Sequence, residues 1–302
     1  MGIKNVALLG ATGDLGAPML EFLIAAGTFQ ITVLQRRSSK SVPTTHPSVR
    51  IVTVDDDMSL ESLQGALQDQ DAVIACFRPR DVDVHLRLAD AAAAAGVKRF
   101  IPADFGSCDS SSERVQELVP LFLAKVHVRQ RLQELAAAKP EFTWTSFVTG
   151  HLFDWGLKEN FLHFNLKTRT AEILDAGQYR SSTSTLKRVS EAVVKVLQNE
   201  DIGRNKMLFV QSFCVSQLDV LAALRRATGK KWNMKRLDSE AFIPNSKAKA
   251  DAGDKEAVED LVFALGAIDG NWEGKDDFAM EALGLENEDL DAVVQRVVSE
   301  AT

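Results

Sequence analysis

Two hydrophobic periods alternate along the first half of the chain. Short apolar runs near 4–9, 30–35, 49–54, 71–77, 98–102 and 142–148 have the length of buried strands. Between them, near 14–26, 59–68, 82–95 and 113–138, apolar positions recur three and four apart, as on an amphipathic helix. Ala89-Asp90-Ala91-Ala92-Ala93-Ala94-Ala95-Gly96 joins strong helix formers to a glycine stop. Strand and helix in alternation predict an α/β, Rossmann-like doubly wound fold: a parallel sheet with helices on both faces.

The pattern changes after about residue 149. Leu186, Val189, Val193, Val196 and Leu197 predict a helix over 186–198 that returns to the sheet, and a strand near 207–211 extends it. Residues 216–302 read as helices with a short strand near 232–237. No low-complexity linker separates the halves. The expected organisation is a dinucleotide-binding domain over 1–149, with return segments near 186–211, and a smaller interwoven C-terminal substrate lobe over 150–302.

Between the first strand and the first helix lies Gly10-Ala11-Thr12-Gly13-Asp14-Leu15-Gly16. In that setting Gly10 permits a tight turn, Gly13 lets backbone amides approach a pyrophosphate, and Gly16 lets the helix pack close to the sheet. Gly10, Thr12, Gly13, Asp14, Leu15 and Gly16 are therefore candidate cofactor contacts; the alternative is an ordinary glycine-rich turn. An NAD site usually places Asp or Glu at the end of the second strand, but this chain has Arg36-Arg37-Ser38-Ser39-Lys40. Arg36, Arg37 and Lys40 suit a 2′-phosphate, so NADPH/NADP+ is expected over NADH, with a solvated basic loop as the alternative. Asp56 or Asp57 either bonds adenine-side groups or belongs to a solvated turn.

Net charge is −7, which gives no support to general nucleic-acid binding. No apolar run reaches membrane-spanning length, and the first residues lead straight into a strand without a signal-peptide pattern. Cys76, Cys108 and Cys214 are odd in number and far apart, which fits a reducing, cytoplasmic compartment. No His/Cys/Asp/Glu spacing suggests a metal site. The expected partner is a small molecule, with no nucleic acid and no membrane, and the protein is expected as a monomer or homodimer.

The chain has one tyrosine, Tyr179, and Thr183 stands four residues on, so the Tyr-x-x-x-Lys pair of short-chain dehydrogenases is missing. Lys125 offers other chemistry. It falls within the stripe Leu121, Lys125, Val128, Leu132 and Leu135, where an apolar residue is expected. One reading is a snorkelling surface lysine. The other is a partly desolvated lysine, its pKa lowered by up to ~3–5 units, donating to a developing oxyanion. The preceding strand ends at Pro102, and the loop Ala103-Asp104-Phe105-Gly106 should border the nicotinamide.

The glycine turn, Arg36, the Phe100-Ile101-Pro102-Ala103-Asp104-Phe105-Gly106 segment and Lys125 resemble the NmrA-like / isoflavone reductase-like family. This atypical short-chain dehydrogenase group includes isoflavone, pinoresinol-lariciresinol and phenylcoumaran benzylic ether reductases. The resemblance is clear over roughly 4–165. Plant members commonly carry Pro-Ser-Glu-Phe-Gly where this chain has Pro102-Ala103-Asp104-Phe105-Gly106. It implies that Lys125 matches the family lysine, which acts as acid/base or forms part of the nicotinamide site. From the residues themselves, Phe77 and Phe105 are further cofactor candidates, and Phe105, Thr149, His151, Phe153 and Trp155 are candidates for a substrate pocket, with plain core packing as the alternative for the aromatic group. His151 is either a second catalytic polar group or a structural histidine.

Thr149-Gly150-His151-Leu152-Phe153-Asp154-Trp155 and Phe77-Arg78-Pro79-Arg80 depart from the plant pattern. Arg78 or Arg80 either touches phosphate or substrate or is simply exposed. The departures turn the expectation toward fungal-type secondary metabolism. The resemblance implies an NADPH-dependent reductase of a conjugated aromatic or polyketide-like molecule: an enone, imine or quinone methide. The rivals are a non-catalytic NmrA-type NADP(H) sensor and an enzyme of isomerisation or cyclisation without net hydride transfer.

Overall fold

The computed structural model describes residues 2–77 and 82–301; Arg78 and Arg80 lie outside the described residues. In chain order the first elements are β1 (Asn5–Leu9), α1 (Gly16–Ala26), β2 (Gln30–Arg36), β3 (Val49–Val54), α2 (Leu60–Ala66), β4 (Ala72–Ala75), α3 (Val82–Ala94), β5 (Arg99–Ile101), α4 (Glu113–Leu118), α5 (Pro120–Ala138) and β6 (Thr143–Val148). There follow β7 (His151–Leu152), α6 (Phe153–Lys158), β8 (Phe164–Asn165), β9 (Thr170–Leu174), β10 (Arg180–Ser184), α7 (Leu186–Gln198), β11 (Lys206–Phe209), β12 (Phe213–Ser216), α8 (Gln217–Thr228), β13 (Asn233–Leu237), α9 (Ser239–Asp251), α10 (Lys255–Asp269) and α11 (Leu290–Ala301). The chain divides into two compact units. The first comprises Met1–Phe105, Leu121–Phe147 and Val189–Leu208, and the second Gly106–Pro120, Val148–Arg188 and Phe209–Thr302.

The first unit is built on a seven-stranded sheet of order β11-β6-β5-β4-β1-β2-β3. The pairs β3–β2, β2–β1, β1–β4, β4–β5 and β5–β6 are all parallel. β4 is buried at every position, as a strand covered on both faces must be. Strand order reverses between β1 and β4, so the crevice beyond their carboxyl ends is the position where such sheets bind ligands. Helix α1 ends at Gly27, in the left-handed conformation that stops a helix at low cost. The helix predicted over 113–138 is instead broken in two. Val119 is extended (φ −133°, ψ 96°) and Pro120 begins α5. The proline ring disfavours helical backbone at the residue before it, and its missing N–H costs nothing in a first turn.

β3 forms one edge of the sheet. Its outer positions are solvated, with Ile51 51% exposed, and Arg50 lies across the neighbouring strand β2, donating from Nε to Thr32 Oγ1 at 2.8 Å. On the interior strand β5, Arg99 is buried as a tie. Its Nε donates to Thr143 Oγ1 at 2.9 Å, Nη1 to Thr145 Oγ1 at 2.9 Å and to the Ile202 carbonyl at 3.1 Å, and Nη2 to the Glu200 carbonyl. Both threonine hydroxyls pass their own protons on to carbonyls, of Lys98 and Gly203.

The second unit holds two three-stranded sheets, of orders β12-β10-β7 and β13-β9-β8. Phe153, Phe164, Phe213, Leu221, Trp232 and Val294 belong to its apolar core. The predicted strand near 232–237 is β13. The short strands β7 to β10 and β12 were not predicted, because most run two to five residues and β10 reads Arg-Ser-Ser-Thr-Ser. Its buried hydroxyls are each paired: Ser182 with Gln211 Oε1 at 2.7 Å, Thr183 with the His151 carbonyl at 2.8 Å, Ser184 with the Thr149 carbonyl at 2.7 Å. Among the described residues no helix is long and apolar enough to cross a membrane.

Arg99→Met would leave the part-buried Glu200 and Ile202 carbonyls without this donor. It is expected to destabilise the protein by about 1–3 kcal/mol, read as a lower urea midpoint at unchanged slope.

Candidate functional site

The carboxyl ends of β1, β2 and β4 frame a cleft of about 470 Å³ in the first unit. Its floor is the glycine turn. Gly10 has φ +80°, and a Cβ there would run into the Cys76 carbonyl at the end of β4. A Cβ on Gly16 would collide with the Gly10 carbonyl, so the helix can start this close to the strand only with glycine at both positions. The turn is closed by Gly13 N–H donating to the Gly10 carbonyl at 3.0 Å. No acidic residue stands in the first turn of α1, and no side chain caps its N-terminus. Within that first turn Ala17 N–H donates to the Gly13 carbonyl at 2.9 Å, Met19 N–H donates to the Leu15 carbonyl at 3.1 Å, and Pro18 has no N–H, so an anion would be met by the amides of the glycine turn itself.

Of the sequence candidates, Gly10, Thr12, Arg36 and Phe77 line this cleft. Gly13 and Asp14 are exposed on the turn, Leu15 is half-buried beside them and Gly16 is buried beneath. Arg37 points instead to Asp55, at 3.1 Å, and Lys40 is exposed and outside the lining. Ser39 and Ser41 line the cleft with Arg36, two hydroxyl-bearing residues the sequence reading passed over. Asp56 lines it too, and accepts from Ser38 N–H at 2.8 Å; that backbone bond, with the neighbouring arginines, holds its carboxyl below the usual range.

Along the same sheet edge, the loop after β5 gathers a charged cluster. Lys125 lies on α5 with its side chain 9% exposed, as its place in the apolar stripe predicts. Its Nζ donates to the Asp104 carbonyl at 2.5 Å, lies 3.5 Å from Asp104 Oδ1, and sits 5.2 Å over the Phe122 ring. A buried countercharge accompanies the lysine. Burial alone would raise the Asp104 carboxyl, but Lys125 and Arg129 outweigh it and hold the group below its ordinary value. Phe105 takes a left-handed backbone (φ +39°) and stacks on Phe147, ring centroids 6.2 Å apart. His85 packs edge-on against Phe77 and accepts from Ala103 N–H at 3.2 Å. Burial drives its pKa down to about 4, Asp104 opposing and Lys125 adding to the shift. Asp104, Arg129, His85 and Ser146 were not singled out from sequence. The signal present was an arginine one turn after Lys125, on the same helix face.

The remaining candidates lie in the second unit. Thr149 is wholly buried, its hydroxyl 3.1 Å from the Gly150 carbonyl. His151 is 5% exposed, packed between Phe161 and Phe263, with Nε2 3.3 Å from the Val262 carbonyl. Burial pulls it to about 4, so it is neutral at neutral pH. Phe153 is a core residue set edge-on to Phe213 at 4.8 Å, while Trp155 is half-buried and packs on Phe161 at 5.4 Å. His151 and Phe153 are thus both packed among aromatic rings of the second unit. Among the described residues, no group of three or more His, Cys, Asp or Glu is arranged to hold a metal ion.

The model of the NmrA-like family matches residues 3–247. The chain is similar to the oxidoreductase poxI of Penicillium oxalicum, 33% identical over 303 residues that cover 95% of this chain and 92% of the relative. Its fold is similar to that of isoflavone reductase, with a TM-score of 0.76 at 18% identity over 97% of this chain and 99% of the other. It is also similar to the binary complex of leucoanthocyanidin reductase with NADPH from Vitis vinifera, with a TM-score of 0.78 at 16% identity over 98% and 99% of the two chains.

His85 and His151 both bind protons more weakly folded than unfolded. Stability is therefore expected to fall as pH drops from 6.5 to 4, with a slope approaching about 1.4 kcal/mol per pH unit for each histidine. Urea titrations across that window should show the slope reduced in His85→Gln. Asp104 adds its own loss only below 3.8.

Proposed function

The chain belongs to the NmrA-like family, and on that premise we propose that it is an NADPH-dependent reductase of a conjugated aromatic or polyketide-like small molecule. The observation that carries the cofactor reading is the glycine cradle, which side chains at positions 10 and 16 would fill, opening toward Arg36 with no carboxylate at the end of β2. These residues fit a phosphorylated dinucleotide. The backbone amides of the turn would hold the pyrophosphate, and Arg36, Ser39 and Ser41 would hold the 2′-phosphate through charge-assisted hydrogen bonds. Bound NADPH supplies hydride.

The protein's share of the chemistry falls to Lys125. Hydride addition to an enone, imine or quinone methide leaves negative charge, or a need for a proton, on the conjugated oxygen or nitrogen. The Lys125 ammonium, held in a dry site, would meet that charge. Fungal relatives named as oxidoreductases, poxI among them, support a redox role for this chain. A non-catalytic sensor would use the same cleft, and the two readings part on redox preference.

Parallel titrations of NADPH, NADP+, NADH and NAD+ should show preference for the phosphorylated pair, with NADPH at least as tight as NADP+. Indifference to the 2′-phosphate would overturn the cofactor assignment; preference for NADP+ would move the reading to a sensor. Arg36→Ala is expected to weaken both phosphorylated forms by about tenfold to a hundredfold and to leave NADH unchanged. Lys125→Met should lower turnover by about a hundredfold or more while NADPH affinity holds. Full turnover in that variant would remove Lys125 from the mechanism.

A further inference from the structure

Asp104 is gripped unevenly. Its Oδ2 accepts from Arg129 Nη1 and from Ser146 Oγ, both at 2.5 Å. Its Oδ1 is fully buried, accepts no hydrogen bond, and lies 3.5 Å from Lys125 Nζ. Arg129 follows Lys125 by one helical turn on α5, so both side chains reach the same carboxylate from one helix face. The three side chains are 2%, 9% and 10% exposed for Asp104, Lys125 and Arg129. The backbone is fixed as well: Ala103 N–H donates to His85, and Asp104 N–H donates to the Pro102 carbonyl at 2.8 Å.

We infer that Arg129 is a positioning residue that acts on Lys125 through Asp104. Arg129 and Ser146 clamp one carboxylate oxygen, which fixes rotation about the side chain. The other oxygen and the Asp104 carbonyl then hold the Lys125 ammonium in one place. A lysine side chain gives up ~2 kcal/mol of rotamer freedom when held, and a charge that must reorganise during reaction loses most of its effect. A buried triad is a poor source of stability, since well-packed apolar residues of the same volume usually do as well. What it does provide is an ammonium fixed in direction. The inference rests on the proposed role of Lys125, but its test needs no substrate.

The test is competitive labelling of the whole protein with acetic anhydride at pH 8, without nucleotide, followed lysine by lysine by mass spectrometry. Only an unprotonated, reachable amine reacts, so Lys125 should be among the slowest in the wild type. Arg129→Gln should raise its labelling rate about tenfold, and Arg129→Lys, which can still reach Oδ2, should return it to within about threefold of wild type. Lys98, ion-paired with Asp71 at 2.8 Å, and Lys139, bonded to the Ala93 carbonyl at 2.6 Å, report general loosening of the same unit. A rise at Lys125 alone supports the inference. No rise, or an equal rise at all three lysines, overturns it. Should Arg129→Gln fail to fold, Ser146→Ala removes the other Oδ2 donor and decides the matter by the same criterion. The proposed reductase role fails separately, on turnover of Lys125→Met.

Discussion

The carboxylate of Asp104 sits where four segments of the first unit meet. It takes its partners from α5 through Lys125 and Arg129 and from β6 through Ser146. The residue before it is tied to α3 through His85. A carboxylate removed from water without such partners would cost several kcal/mol. The burial of Asp104 therefore constrains its neighbours together: Arg129 and Ser146 must both donate to Oδ2, and the Lys125 ammonium must stay within reach of Oδ1. Phe105, next in sequence, is left with a left-handed backbone and stacks on Phe147. The geometry of this sheet edge follows from one negative charge that has nowhere else to go.

At the glycine turn the constraint is of the opposite kind. What matters there is the absence of two Cβ atoms at Gly10 and Gly16. Removing them brings α1 down onto the strand end and leaves its first amides without a capping side chain. One sheet edge thus carries two solutions to anion chemistry, bare backbone at one position and a held cation at another. The second unit is held differently around its β12-β10-β7 sheet. Its polar interior is hydroxyl-rich, with β10 handing protons from Ser182, Thr183 and Ser184 to acceptors on neighbouring segments.

The parallel sheet was legible because each of its strands is an apolar run bounded by turn residues, and a run buried on both faces leaves little ambiguity. β10 was not, because burial there is achieved by pairing hydroxyls and not by excluding them, and hydropathy cannot distinguish the two. The break at Val119 was present in the sequence as Pro120, but the apolar spacing on either side masked it. At the site, Lys125 stood out as a cation in an apolar stripe. Its partners did not, since Asp104 lies twenty-one residues away and only the fold brings it to 3.5 Å. Arg37 and Lys40 shared the basic signature of Arg36, yet local geometry sends Arg37 to Asp55 and leaves Lys40 in solvent. Composition reads the charge of a loop; it does not say which of its charges turns inward.

The edge strand β3 carries a further consequence. A strand with a neighbour on one side presents unpaired amides and carbonyls to any other chain with the same need, and a half-apolar edge such as Val49–Val54 is a template for sheet growth. Here Arg50 folds across to Thr32, so the outermost strand carries a guanidinium held in place by its own sheet. A copy of the chain aligning against that edge would have to strip water from the cation with no carboxylate on β3 to receive it. Any chain that extended the sheet at β3 would meet an edge strand on which both Arg50 and Ile51 are exposed, one charged and one apolar.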